Sequence, residues 1–160
     1  MREELPLHDS TFDGIVIKDK VATLYLSTTD GRECEVQLSA IDALHTDDFQ
    51  QGNIVVLFET TTGEPPRKAL DLERLYGSPH PSSAKEYHEK SEAFRAGKRR
   101  ASEVGELTLV EMQPAIGAYL LATCEQVELK YHGNEGQPPN SKQIAGHHVG
   151  ALASAPSAYR

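Results

Sequence analysis

Residues 21–39 read VATLYLSTTDGRECEVQLS, and the alternation in this stretch decides the fold. Ala22, Leu24 and Leu26 alternate with Thr23, Tyr25 and Ser27, and Cys34, Val36 and Leu38 alternate with Glu33, Glu35 and Gln37. A period of two is that of a strand with one face buried and the other wet. Asp30-Gly31 lies between the two runs, and this pair favours the positive backbone angles of a two-residue hairpin turn. The spacing predicts two antiparallel strands joined by a tight hairpin.

Further strands follow on either side. Upstream, residues 7–18 (LHDSTFDGIVIK) place Phe12, Gly14 and Val16 on one face and Ile15 and Ile17 on the other, the pattern of a strand covered on both sides at its end. Asp19-Lys20 makes the next turn. Downstream, residues 40–52 (AIDALHTDDFQQG) read as a polar connection anchored by Ile41, Leu44 and Phe49, with Thr46 a candidate helix cap. Gly52-Asn53 then turns the chain into Ile54–Phe58, five successive apolar residues of the kind that fill a central strand buried on both faces.

Pro66 is placed to begin a helix running to Tyr76, with Ala69, Leu72, Leu75 and Tyr76 at helical spacing and Gly77 as its end. A second, mostly exposed helix is expected from about Ala84 to Arg95, capped by Ser82 or Ser83, with Tyr87, Ser91 and Phe94 on a weak stripe. Lys98-Arg99-Arg100 reads as a solvated helix end, where positive charge is favoured. Leu107–Met112 returns to strand character and Pro114 stops it. Tyr119–Tyr131 supplies the last strand pairing, although Tyr119, Leu120 and Leu121 equally suit a buried helical turn.

Strands, then helices, then strands is not the alternation of a parallel fold. The expected class is α+β, a mostly antiparallel sheet of five to seven strands with one or two inserted helices packed on it. One domain is expected over 1–132, long enough at this size to bury a core. From Gly133 the chain is rich in Gly, Pro, Ser and Ala, so 133–160 is expected to be a flexible tail that cannot offset its ordering entropy.

With 16 Lys plus Arg against 24 Asp plus Glu, the chain repels phosphate backbones and anionic membranes and attracts basic surfaces. Neither nucleic acid nor membrane is expected as a partner. MREELPLHDS lacks the apolar stretch of a signal peptide and no segment has the length of a membrane helix, so a cytoplasmic location is expected. Cys34 and Cys124 read as small buried hydrophobes, with a disulfide between them left open.

Three groups of residues could carry chemistry. His8-Asp9-Ser10 has the residue types of a hydrolytic triad, but consecutive extended residues point to alternate faces, and turn hydrogen bonds are the simpler reading. Asp42, Asp47 and Asp48 lack the regular ligand spacing of a calcium loop and read as a solvated acidic connection. His147-His148 stands in the tail, without the second shell of a dedicated metal site. No GxSxG, Walker, GxGxxG, CxxC or HExxH motif is present. No cofactor is expected.

LHDS opening a strand, the DG hairpin, DDFQQGNIV entering an apolar strand and GELTLVEMQPAIGAYLLATCEQVEL together resemble small bacterial β-rich domains. They are also loosely similar to immunity proteins of bacterial toxin systems, whose β-rich cores begin with an apolar-His-Asp segment. The resemblance spans 7–129 and implies a twisted antiparallel sheet with helices packed on it. It transfers no catalytic residue. The resulting expectation is a non-enzymatic protein-binding module, an inhibitor or immunity-like protein for a basic partner, met through Asp42, Asp47 and Asp48. The alternative is a small hydrolase or ligand-binding enzyme using His8, Asp9 and Asn53.

Overall fold

The computed structural model describes residues 1–65, 69–132 and 141–143, with backbone alone at 69–71 and 141–143. The elements in chain order are β1 (Arg2–Glu4), β2 (Thr11–Lys18), β3 (Val21–Ser27), β4 (Glu33–Ser39), β5 (Ala43–Asp47), β6 (Asn53–Thr61), α1 (Ala69–Tyr76), α2 (Lys85–Glu103), β7 (Thr108–Ile116), β8 (Tyr119–Cys124), β9 (Gln126–His132) and β10 (Ser141–Gln143). The sheet runs β10-β9-β4-β3-β2-β6-β7-β8-β5, with β1 on β6. Every pairing is antiparallel. Ten described strands exceed the expected five to seven, because β1 and β10 are too short to carry a readable alternation and β5 reads as a polar connection. β10 falls within the expected tail and pairs with β9; the rest of 133–160, His147 and His148 included, lies outside the described residues, as does Pro66.

The hairpin at the centre forms as its alternation requires, but its loop is 29–31 rather than two residues: the Thr28 N–H donates to the Arg32 carbonyl at 2.9 Å, and of the Asp30-Gly31 pair Gly31 alone takes a positive φ, 80°. β4 passes into β5, and β8 into β9, at one shared corner. There the Asp42 N–H donates to the Thr123 carbonyl at 2.9 Å, and the Glu125 N–H to the Ser39 carbonyl at 3.1 Å. The corner folds the sheet over, so that the inward residues of both parts meet in one core. Ile15, Leu24, Val36 and Leu129 form one inward row across four strands, and Phe12, Leu26, Cys34 and Tyr131 form the next. Phe58, Val110, Met112, Leu120 and Cys124 close the core from the other side, with Leu5 and Leu7 plugging it.

A second, smaller apolar layer lies outside the sheet. Leu72 of α1 is 1% exposed, and Leu109 and Leu121 are buried although they sit on the outward face of β7 and β8. Helix α1 packs against β5, β8 and α2. Strand β8 is therefore buried on both faces, which is why its sequence, unbroken in apolar residues, suited a helical turn as well as a strand.

Several local expectations are corrected. Helix α2 runs to Glu103, so Lys98-Arg99-Arg100 lies inside it, and its N-cap is Ala84 with no side-chain cap. Ser82 instead bonds the Nδ1 of His80 at 2.7 Å. Pro114 does not stop β7: it stands opposite Val55 where the β6–β7 register shifts, and a bulge tolerates the missing N–H. Val16 and Ile17 are each 56% exposed, so the end of β2 is not covered on both sides, and Val56 is exposed in the supposedly central strand. Phe49 is exposed too, touching Phe12 edge-on at 5.3 Å between ring centroids. The cysteines are free and buried. Among the described residues no helix is long and apolar enough to cross a membrane.

Candidate functional site

The segment leading into β2 is fixed by its apolar residues. Leu5 and Leu7 are buried, the Asp9 N–H donates to the Val55 carbonyl at 2.8 Å, and the Ser10 carbonyl accepts from the Val55 N–H at 2.9 Å. Asp9 takes a positive φ of 61°, which turns its side chain back beside His8, with Nδ1 3.0 Å from Oδ2. Both side chains are 61% exposed, so water screens the pair. Ser10 is buried with the core-facing residues.

Asn53 belongs to a different construction. Its side-chain Nδ2 donates to the Phe12 carbonyl at 3.1 Å and the Gln50 carbonyl at 2.5 Å, and its Oδ1 accepts from the N–H groups of Gln50 at 3.0 Å and Ala118 at 2.9 Å. The amide is wholly occupied in tying three chain segments together. His8, Asp9 and Asn53 are thus not brought together as a polar site.

The acidic connection is not a free loop either. Residues 43–47 form β5, whose outward residues Ala43, His45 and Asp47 pair with Thr123, Leu121 and Tyr119. Thr46 points inward rather than capping a helix, and its hydroxyl is buried without a partner among the described residues. Asp42 accepts a hydrogen bond from Lys98 Nζ at 2.7 Å and another from the Tyr76 hydroxyl, which also meets Thr123 Oγ1 at 2.8 Å. The Lys98 ammonium lies 5.6 Å from the Tyr76 ring centroid and 5.2 Å from that of Phe94. Burial works to raise the Asp42 pKa, but the hydrogen bonds from Lys98 and Tyr76 and the Lys98 charge outweigh it and hold the carboxyl below its ordinary value.

Asp47 accepts from Arg74 at 2.7 Å, with the guanidinium 4.4 Å over the Tyr119 ring, and His45 Nε2 stands 3.7 Å away. Asp42 and Asp47 therefore staple the two helices to the sheet, each with its own cation. Asp48 remains exposed at a positive φ of 51°. Neither pairing could be read from the sequence, because the partners Arg74 and Lys98 sit on helices far along the chain.

The outward face of β3, β4 and β9 presents a different acidic set. Register places Ser27, Glu33 and His132 in one outward row and Tyr25, Glu35 and Lys130 in the next. Between Phe12 and Gly14 the β2 ladder shifts, and the displaced Asp13 comes to the edge of this surface. Together Asp13, Tyr25, Leu26, Ser27, Glu33, Cys34 and His132 line an open depression of about 470 Å³. Ser27 Oγ donates to Asp13 Oδ2 at 2.6 Å, and His132 Nε2 lies 3.4 Å from Glu35 Oε2. Glu33 is exposed and makes no ion pair with a described residue.

Arg32, next to Glu33 in sequence, is already taken: it binds Asp30 at 2.8 Å and lies 4.7 Å over the Tyr131 ring. Cys34 forms part of the floor, and burial pushes its thiol up to about 11, which keeps it protonated and unreactive at neutral pH. The arrangement offers carboxylate acceptors to a cation arriving from solvent. No group of three His, Cys, Asp or Glu among the described residues could hold a metal ion. Sequence reading singled out none of these residues, since Glu33 and Glu35 looked like the ordinary wet face of a strand; the only available signal was that three carboxylates share one sheet face.

Compared with protein-family models, curated proteins and solved structures, the chain matches none of them.

Proposed function

We propose that this chain is a non-enzymatic protein-binding module that receives a basic segment of its partner on the outward face of β3, β4 and β9. The observation that carries this reading is the open depression bounded by Asp13, Glu33 and His132, with Glu35 Oε2 3.4 Å from His132 Nε2. Carboxylates held on a paired sheet are presented at fixed spacing, so an arriving Arg or Lys finds acceptors in place and pays little for their ordering. The chain's excess of Asp and Glu adds a long-range field that steers such a partner inward. In this reading Asp42 and Asp47 are excluded from recognition, because Lys98 and Arg74 already neutralise them. An inhibitor or immunity-like role, acting by covering a basic surface of another protein, fits this mode of binding.

The test is fluorescence anisotropy with a labelled peptide rich in Arg and Lys, at low and at raised salt. Glu33→Lys and Glu35→Lys should each weaken binding several-fold and flatten its salt dependence, while Asp48→Asn leaves both nearly unchanged. Equal losses from Asp48→Asn would move the site away from this face.

A further inference from the structure

Strand β2 is paired along its whole length with β3, but its ladder to β6 consists of Thr11 opposite Ile54 and Phe12 opposite Asn53 and then stops. From Gly14 to Lys18 no described strand lies along the other edge, so its N–H and C=O groups on that side face outward. An unpaired edge is a template for another strand. Natural edges are commonly blunted by charge, yet this one carries Val16 and Ile17, each 56% exposed, with one charged residue, Lys18, at its end.

We propose that this edge pairs with the same edge of a second copy of the chain, giving an antiparallel two-fold dimer centred on Val16. An antiparallel pair of identical strands is related by a two-fold axis normal to the sheet, which keeps outward residues outward. The axis must therefore pass through a residue pair of like position, and Val16 opposite Val16 satisfies this. Gly14 then stands opposite Lys18 of the second copy, and Ile15 opposite Ile17.

Each of these meetings fits what the edge presents. Ile15 and Ile17 both point inward, beside Leu24 and Ala22, so the exposed Ile17 of each copy gains Ile15 of the other, which already packs on the core. Gly14, Val16 and Lys18 point outward, beside Tyr25, Thr23 and Val21. A Cβ at Gly14 would have nothing within 4 Å, so there is room for the Lys18 stem of the second copy to cross it. Asp13, exposed at the register shift next to Gly14, then receives the Lys18 ammonium, which makes no ion pair with a described residue of its own copy. Symmetry repeats the contact, so the edge is complementary to itself in charge as well as in shape. Asp13 is shared with the basic-partner reading, so the two are told apart by Val16→Lys, which changes the edge and not the depression.

A five-residue edge makes a small interface, so the dimer is weak and reversible. Sedimentation of the full chain from about 10 µM to about 1 mM at low salt spans the range of such association. A monomer–dimer equilibrium is expected, and Val16→Lys, which sets two like charges on the axis, should weaken it at least about tenfold. Asp13→Lys and Lys18→Asp should each weaken it by about tenfold, and the double exchange should restore it to within about twofold, because opposite charges again face each other. A wild-type chain that stays monomeric throughout, a dimer indifferent to Val16→Lys, or a double exchange that fails to restore association would each overturn the proposal.

Discussion

Replacing Asn53 by Ala should be among the most damaging single changes in the protein, although it removes few atoms. Asn53 is 1% exposed, and its amide satisfies backbone groups of Phe12, Gln50 and Ala118. The bonds to Gln50 are partly buried, so water can take them over, but those to the Phe12 carbonyl and the Ala118 N–H are fully buried. An orphaned buried polar group costs about 1–3 kcal/mol, so two of them give about 2–6 kcal/mol. That is a large fraction of the roughly 5–15 kcal/mol by which a domain is stable. In urea, with a slope of about 2 kcal/mol per molar, the unfolding midpoint should fall by about 1–3 M. A loss below about 1 kcal/mol with an unchanged slope would refute the structural role, and would return Asn53 to the list of residues kept for chemistry.

Gly117 tests the same junction from the other side: it has φ 85°, and a Cβ there would lie 2.2 Å from Asn53 Oδ1. Gly117→Ala should therefore lower thermal stability well beyond Gly31→Ala, which has φ 80° but open space and should cost about 1–2 kcal/mol; equal losses would contradict the clash. Asp42→Asn should loosen α2 from the sheet, seen as faster amide exchange in Lys85–Glu103 with little change in the core strands. Because the folded Asp42 carboxyl titrates below its unfolded value of about 3.9, its contribution is present above that pH and lost as the pH falls through the lower folded value. The helix docking should show that acid loss in wild type and not in Asp42→Asn. Cys34 and Cys124 are 1% and 0% exposed, with thiols pushed by burial to about 11 and about 12, so at pH 8 a disulfide reagent should modify them only as fast as the chain opens. Rapid reaction of one native thiol would contradict this.

The sheet was legible where one face is buried and the other wet. Residues 21–39 alternate because β3 and β4 have an inward row in the core and an outward row toward solvent. The last strands were harder to read for a physical reason: β8 lies between the core and α1, and a strand buried on both sides has no alternation to display. β5 was missed because only Leu44 and Thr46 point inward while Ala43, His45 and Asp47 lie toward the helices, which reads as a polar loop. The acidic residues were noticed as neighbours in sequence. Neighbours in sequence, Asp42, Asp47 and Asp48, proved to serve separate ends, while Asp13, Glu33, Glu35 and His132 come from strands β2, β4 and β9 and meet only through register. Nothing local in a sequence marks a residue displaced by a register shift, as Asp13 is.

The most direct measurement is a backbone NMR titration of the labelled protein with a peptide rich in Arg and Lys at low salt, followed residue by residue. The proposed docking face predicts the largest shift changes at Asp13, Tyr25, Ser27, Glu33, Glu35 and His132, with Asp42 and Asp47 nearly silent behind Lys98 and Arg74. Shifts concentrated instead on β5 and the helices, or spread evenly over the acidic surface, would contradict it.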